Sequence, residues 1–351
     1  MRSALLLASD LLRRLCLTRP VQQAAAPLLA GHRGRGACLL YHRLHAAAHG
    51  AAEWGNAALS VSTADFERQI HWLARHRRCL PLDEAITLLL AGRLPDGAAV
   101  VTFDDGYRDN LELALPILER HGVPAGVFVA TGLLDAATDP WWLELESLLA
   151  GLGSVEVELD GWPRRWRLRS ANQRRRAFEE ITAWGRCVRP QEVERLLDRI
   201  RAQARPAPRA ANPMLTWEQL ARFAQHPLIT VGAHTVSHPP LSALPPDDAR
   251  REIAESKLLL ESRAAARVEH FAYPFGGRAQ LGLRESELAA AAGFRSAFTA
   301  LEGHLHGEHA RYPQLLPRFP IVDRDGLLGL RFKLSGWRAL LKNRGARLVT
   351  V

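Results

Sequence analysis

The stretch that most limits what this chain can fold into is Val100-Val101-Thr102-Phe103-Asp104-Asp105-Gly106. An apolar, β-branched run that begins at Ala98 stops abruptly at two adjacent carboxylates and a glycine. Short apolar runs bounded by Gly or Pro read as buried strands, and α/β folds place their sites where such strands end. Neighbouring residues on an extended chain point to opposite sides, so Asp104 and Asp105 are expected to do different work. One could bind a metal while the other, close to that charge, acts as a base. Taken alone, the fragment is better read as an Asp-Asp-Gly turn after a strand, without chemistry.

A second strand-like run, residues 229–233, ends at His234-Thr235-Val236-Ser237-His238. Two imidazoles four residues apart converge on one cation if the backbone turns helically between them. Two histidines and one carboxylate suit Zn²⁺ or a similar divalent ion, with positions left open for water and substrate. A third run, Cys38-Leu39-Leu40-Tyr41, leads into His42. A histidine at a strand end is by itself unremarkable in a half-buried position.

Thr102-Phe103-Asp104-Asp105-Gly106 followed by His234-Thr235-Val236-Ser237-His238 resembles the polysaccharide deacetylase family, over residues 39–322. Phe271-Ala272-Tyr273-Pro274-Phe275-Gly276 is similar to that family's Arg-x-Pro-Tyr segment, with Ala272 where the arginine stands. The family usually carries Leu-x-His near its C-terminal end, and no clear copy follows Pro274. Leu40-Tyr41-His42 fits that pattern ahead of the acidic motif, which resembles the circularly permuted branch that includes poly-N-acetylglucosamine deacetylases.

The resemblance implies an α/β fold, a distorted (β/α) barrel with an inserted subdomain. It also implies a divalent metal, Zn²⁺ first, held by Asp105, His234 and His238. By the same resemblance Asp104 is the general base, His42 the general acid, and the backbone N–H of Phe275 an oxyanion donor. The missing arginine leaves open what holds Asp104; Arg318, or else Arg295, could supply the guanidinium, on residue type alone. The implied activity is metal-dependent removal of N-acetyl groups from amino sugars in a glycan or a carrier-linked precursor. A deformylase of a carrier-linked amino sugar and a catalytically inactive glycan-binding module are the alternatives.

The rest of the chain reads as support for such a barrel. Apolar periodicity predicts helices over 63–76, 82–91, 108–121, 217–224, 247–266 and 284–292, interleaved with strands over 125–130, 269–275 and 296–300. This β–α–β rhythm argues for parallel strands with helical crossovers. It lapses over 135–212, a stretch with Trp141, Trp142, Trp162, Trp166 and Trp184 among the chain's 9 tryptophans and a hairpin signal at Asp160-Gly161. That insertion reads either as a sugar-stacking surface or as a small satellite core. Residues 1–36 read as an N-terminal helix and linker, 37–325 as the barrel, and 326–351 as a basic amphipathic tail with no acid.

A net charge of +9 fits an anionic partner: a membrane surface, an acidic glycan or a phosphate-bearing carrier. No nucleic-acid-binding motif accompanies it. Cys16, Cys38, Cys79 and Cys187 have no metal-type or disulfide-framework spacing. The apolar start, residues 3–8, is interrupted by Asp10, Arg13 and Arg14 and is short for a signal-peptide core. The expectation is therefore a cytoplasmic-side protein attached to the membrane through amphipathic segments. The basic tail reads either as an interfacial helix or as a helix packed on the barrel.

Overall fold

A computed structural model describes residues 10–46, 54–135, 139–204 and 212–351. The apolar start at residues 3–8 and the Pro/Ala/Arg-rich linker at 205–209 lie outside the described residues. The strands, in chain order, are β1 (Gly36–Tyr41), β2 (Arg43–His45), β3 (Ser60–Ser62), β4 (Arg78–Cys79), β5 (Ala98–Phe103), β6 (Ala125–Val129), β7 (Ser154–Leu159), β8 (Trp162–Arg167), β9 (Ile229–Ala233), β10 (His270–Ala272), β11 (Ser296–Phe298) and β12 (Phe319–Pro320). The main sheet runs β11-β10-β9-β6-β5-β1-β12, with β4 added beside β5. Every pairing within it is parallel.

One C-terminal segment joins the two ends of this sheet. Leu316 bridges Phe298 of β11 in parallel, with Thr299 N–H donating to its carbonyl at 2.8 Å. Three residues later, Phe319 and Pro320 pair with Leu39 and Leu40 of β1. The result is a distorted (β/α) barrel in which the first and last strands are neighbours. β1 and β5 are buried at all six positions, as expected for strands covered on both faces. Their side chains alternate between two cores. Leu39, Tyr41, Val101 and Phe103 face the outer helices, whereas Cys38, Val100, Phe128 and Phe298 share a second cluster with the helix Leu82–Leu90.

Local chemistry sets the helix boundaries. The helix Thr63–His76 starts where the Ser62 side chain accepts from Asp65 N–H. A Thr216/Gln219 capping box starts Trp217–Ala224. The helix expected over 108–121 opens instead with a π-helical turn, Asn110–Ala114, before Leu115–His121. Pro116 has no N–H to offer the Glu112 carbonyl and its ring crowds that group, so the preceding turn widens.

Residues within 135–212 build their own apolar cluster. Trp142, Leu145, Leu149, Val155, Phe178, Ile181, Leu196 and Ile200 pack together between three helices and the antiparallel β7–β8 hairpin. Trp141, Trp166 and Trp184 flank that cluster, and Trp162 is exposed.

The basic tail is packed on the barrel. It forms two short helices, Gly326–Leu334 and Trp337–Lys342, broken at Gly336 with φ +91°. Leu330, Leu334 and Ala339 belong to the main core. Lys333 Nζ donates to Asp325 Oδ2 and to the Pro320 carbonyl, both at 2.6 Å, and Arg338 grips Glu302 through two 2.6 Å bonds. Among the described residues no helix is long and apolar enough to cross a membrane, and all four cysteines are free.

The Lys333–Asp325 pair ties the tail to the end of β12, with both groups largely out of water. Asp325→Ala leaves that ammonium without its counter-charge, and the expected loss is about 3 kcal/mol of unfolding free energy. Denaturant melts of wild type and variant measure it; a loss under about 1 kcal/mol would show that the pair does not anchor the tail.

Candidate active site

Four barrel strands deliver polar residues to one rim. His42 follows β1, Asp104 and Asp105 follow β5, His234 follows β9, and Tyr273 to Phe275 follow β10. After β5, β9 and β10 the chain leaves the extended region: Asp105 has φ +76°, Thr235 +67°, His238 +58° and Phe275 +60°. Positive φ at so many non-glycine residues is uncommon and is held in place by surrounding contacts.

At Asp105 the reversal turns its carboxylate toward His234 and His238. Asp105 Oδ1 lies 3.3 Å from His234 Nε2 and 3.2 Å from His238 Nε2. His234 Nδ1 donates to the Ala272 carbonyl at 2.7 Å, which leaves Nε2 with a lone pair toward the carboxylate. Asp105 Oδ1 is buried and accepts no hydrogen bond. Two acceptors that face each other out of water need a cation between them. All three ligand atoms lie within 4.8 Å of one another, and this oxygen–nitrogen donor set suits Zn²⁺ or a similar divalent ion.

Asp104 points elsewhere. Both its oxygens are held by Arg318, with Nη1 to Oδ1 and Nη2 to Oδ2 each at 2.7 Å. Arg318 is fully buried. Its Nε donates to the Thr299 carbonyl at 3.0 Å and its Nη1 to Thr102 Oγ1 at 3.2 Å. Arg295 is engaged at the start of β10 and β11 with Glu269, at 2.9 Å, and with Thr87. Asp104 Oδ2 is 4.0 Å from His234 Nε2, so base candidate and ligand cluster share one space.

His42 lines the same cleft, half-buried, and burial pushes its pKa down despite the attraction of Asp105 and Asp104. Asn110, on the π-helical turn, donates to the His42 carbonyl at 2.8 Å. His304 and His306 line a different cavity, at the strand starts. The cleft encloses about 210 Å³. Trp142 and Phe275 both pack against the His238 ring, the first tilted and the second edge-on, each with centroids at 4.7 Å. Trp142 Nε1 donates to the Tyr107 hydroxyl at 2.9 Å. Arg186 reaches the cleft over Phe275, at 5.6 Å from its ring.

Several of these groups were not among the sequence candidates. Glu252 is the clearest: its Oε2 accepts from Val236 and Ser237 N–H, both at 2.8 Å, and so fixes the loop between the two histidines. Nothing in the sequence marks it, since it is one of several acids on the helix Pro246–Arg263. Asn110 and Arg186 are equally silent, whereas Trp142 lies in the Trp-rich stretch.

Comparison with known proteins gives the family and the fold. A sequence profile described as polysaccharide deacetylase matches residues 91–296. A poly-beta-1,6-N-acetyl-D-glucosamine N-deacetylase of Staphylococcus aureus is 38% identical over 74 residues, which are 21% of this chain and only 26% of that relative's length. Among solved structures, the deacetylase PplD of Streptococcus pyogenes, in complex with acetate, aligns with a TM-score of 0.55 at 20% identity, covering 85% of this chain and 97% of its own. IcaB of Ammonifex degensii aligns with a TM-score of 0.55 at 18% identity, covering 86% and 97%. At such identities the structural likeness is one of fold.

The donor set predicts about one tightly held divalent ion per chain, measurable by elemental analysis of purified protein. His234→Ala and His238→Ala should each lose it, while Glu252→Gln keeps the ligands and should weaken retention about 10-fold by loosening their loop. Full metal content in a histidine variant would remove that residue from the ligand set.

Proposed function

Because the chain belongs to the polysaccharide deacetylase family, we propose that it hydrolyses the N-acetyl amide of N-acetylglucosamine units in a glycan. The observation that carries this reading is the buried Arg318–Asp104 clamp beside the Asp105, His234 and His238 cluster in one cleft. The clamp also serves barrel closure, but an inactive glycan-binding barrel has no need to set beside it a second buried carboxylate and two imidazoles aimed at one point. The clamp fills the role left open by Ala272, with the charge arriving from a different strand.

A divalent ion held by Asp105, His234 and His238 would supply Lewis acidity toward water and the amide oxygen. Asp104 accepts the proton of the attacking water, through lone pairs that Arg318 leaves free. The guanidinium fixes both carboxylate oxygens and so keeps that proton acceptor aimed. The water oxygen forms a bond to the acetyl carbon, and the carbonyl oxygen takes up negative charge. Among the described residues the N–H of Phe275 has no acceptor, and Phe275 lines the cleft, so this donor is the one assigned to the oxyanion. His42, in the imidazolium form that the neighbouring Asp105 and Asp104 favour, then gives its proton to the nitrogen as the C–N bond breaks, which releases acetate and a free amino sugar. The aromatic walls supplied by Trp142 and Phe275 suit the apolar face of a pyranose ring.

We also propose a peripheral contact with anionic membrane. Leu11, Leu12, Leu15, Leu28 and Leu341 are each more than half exposed. Leu12 and Leu341 line one cleft, and Trp337 Nε1 donates to the Cys16 carbonyl at 3.1 Å, which joins the two terminal segments into one face. Arg14, Arg19, Lys342 and Arg344 make no ion pair among the described residues. Exposed leucines carried on the same terminal segments as unpaired cations are the chemistry of an interfacial surface.

Acetate release from β-1,6- and β-1,4-linked N-acetylglucosamine oligomers tests the activity, and a metal-loaded protein that releases none from either would overturn it. His42→Ala should keep both fold and metal and lose about 10²–10⁴-fold in turnover, whereas loss of metal alone would make His42 a ligand. For the membrane, Leu12→Asp combined with Leu15→Asp should reduce sedimentation with phosphatidylglycerol vesicles and leave turnover of a soluble oligomer unchanged; undiminished sedimentation would remove this face from the contact.

A further inference from the structure

A second cavity, of about 580 Å³, lies at the opposite end of the barrel from the cleft. It opens where β1 and β5 begin, against Gly36, Ala37 and Ala98, while the active-site residues follow the ends of those strands. Its size falls within the roughly 300–1,000 Å³ of small-molecule sites. Glycines at 34, 36, 97 and 307 keep its walls bare.

The charge on those walls is one-sided. Arg33, Arg35, Arg77 and Arg347 line the cavity, against only Asp96 and Glu308. Arg35 pairs with Asp96 at 3.2 Å and Arg347 with Glu308 at 3.6 Å, both in exposed positions where water screens the pair. Arg33 and Arg77 have neutral partners only. Arg33 donates to the Ser335 carbonyl at 3.0 Å and to Gln22 Oε1 at 2.6 Å. Arg77 donates to the Leu334 carbonyl at 3.3 Å, and its Nε is buried with no acceptor at all. Two guanidiniums are thus held in place by neutral groups, with N–H donors left over and no counter-charge.

We propose that this cavity binds a phosphate-bearing small molecule, gripped by Arg33 and Arg77 and flanked at its rim by Arg35 and Arg347. Planar guanidinium forks match the oxygens of a phosphate, and a dianion offsets two neighbouring cations where a single carboxylate does not. The repulsion to be offset is visible in Arg77, whose pKa is lowered first by burial and then by the Arg33 charge. The neighbouring imidazoles add no further charge near neutrality, since burial above all pushes His304 down to about 3 and His306 to about 4. They are left as neutral hydrogen-bonding groups on the same wall.

The phosphate could arrive on a soluble metabolite or as a lipid headgroup. Calorimetric titration of the metal-loaded full chain with inorganic phosphate, and separately with a short-chain phosphatidic acid kept monomeric, distinguishes the sources. Saturable binding is expected for at least one probe, and Arg33→Gln and Arg77→Gln should each weaken it at least 10-fold. Binding of phosphate indicates the soluble source; binding of the lipid alone indicates the headgroup. Because these arginines also hold the Ser335 and Leu334 carbonyls, a measurement on wild type covers the case of a variant that misfolds. Phosphate should protect Arg33 and Arg77 from an arginine-specific dicarbonyl reagent, read by mass spectrometry. No binding of either probe, or binding and protection that do not involve Arg33 and Arg77, would overturn the site. Neither readout depends on deacetylation, so failure here leaves the proposed activity untouched.

Discussion

The Arg318–Asp104 ion pair is the constraint around which the barrel is arranged. Taking both charges out of water costs several kcal/mol per ion, and mutual attraction alone seldom compensates. Here Arg318 is also hydrogen-bonded to Thr299 and Thr102 and stacked over Phe128 and Phe298, at 5.4 and 5.9 Å. Those partners come from β5, β6 and β11, so the guanidinium links strands from separate parts of the chain. The segment that carries it is also the one that bridges β11 to β1 and closes the sheet. Closure of the barrel and alignment of Asp104 are therefore a single structural event.

The same closure explains why the histidine motif can stand first in the chain. In a ring of parallel strands, what matters at the rim is which strand ends are adjacent. β1 sits between β12 and β5, so a residue just after it lies beside the acidic motif wherever the chain starts. Asp104 N–H donates to the Tyr41 carbonyl at 3.0 Å, which fixes the register of the two strand ends. Asn110 then holds the His42 carbonyl from the following turn. The order of motifs along the sequence differs from their order in space, and the closed sheet makes the two independent.

The legible parts of this site were those with a local signal. An apolar run that ends in Asp-Asp or His reads as a strand delivering chemistry, and the four-residue histidine spacing points to a shared cation. Arg318 could be nominated only by residue type, because its relation to Asp104 crosses 214 positions and depends on barrel closure. Glu252 was illegible for a related reason: it acts on the Val236–Ser237 backbone from a separate helix, and one acid among many on a solvated helix carries no mark. The basic tail shows the converse. Its own window contains no acid, which leaves an interfacial helix open beside a packed one, yet Lys333 finds Asp325 just before that window and Arg338 finds Glu302 well upstream. Charge pattern within a segment cannot reveal partners supplied by the fold.

The insertion shows how a separately packed unit can still be coupled to the ligand cluster. Its apolar cluster shares no buried residue with the barrel's, so most of its side chains could be repacked without disturbing the strands. Trp142 is the exception. It belongs to that cluster, donates to the Tyr107 hydroxyl just after the acidic motif, and lies against the ring of His238. An aromatic face against an imidazole limits the ring's freedom to tilt, and His238 has no hydrogen bond at Nδ1 to do so. Orientation of the His238 ring is therefore set by packing against Trp142 and Phe275. A shift of the helix Trp141–Gly151 against the barrel would reach His238 directly, whereas His234, tied to the Ala272 carbonyl, would be left in place.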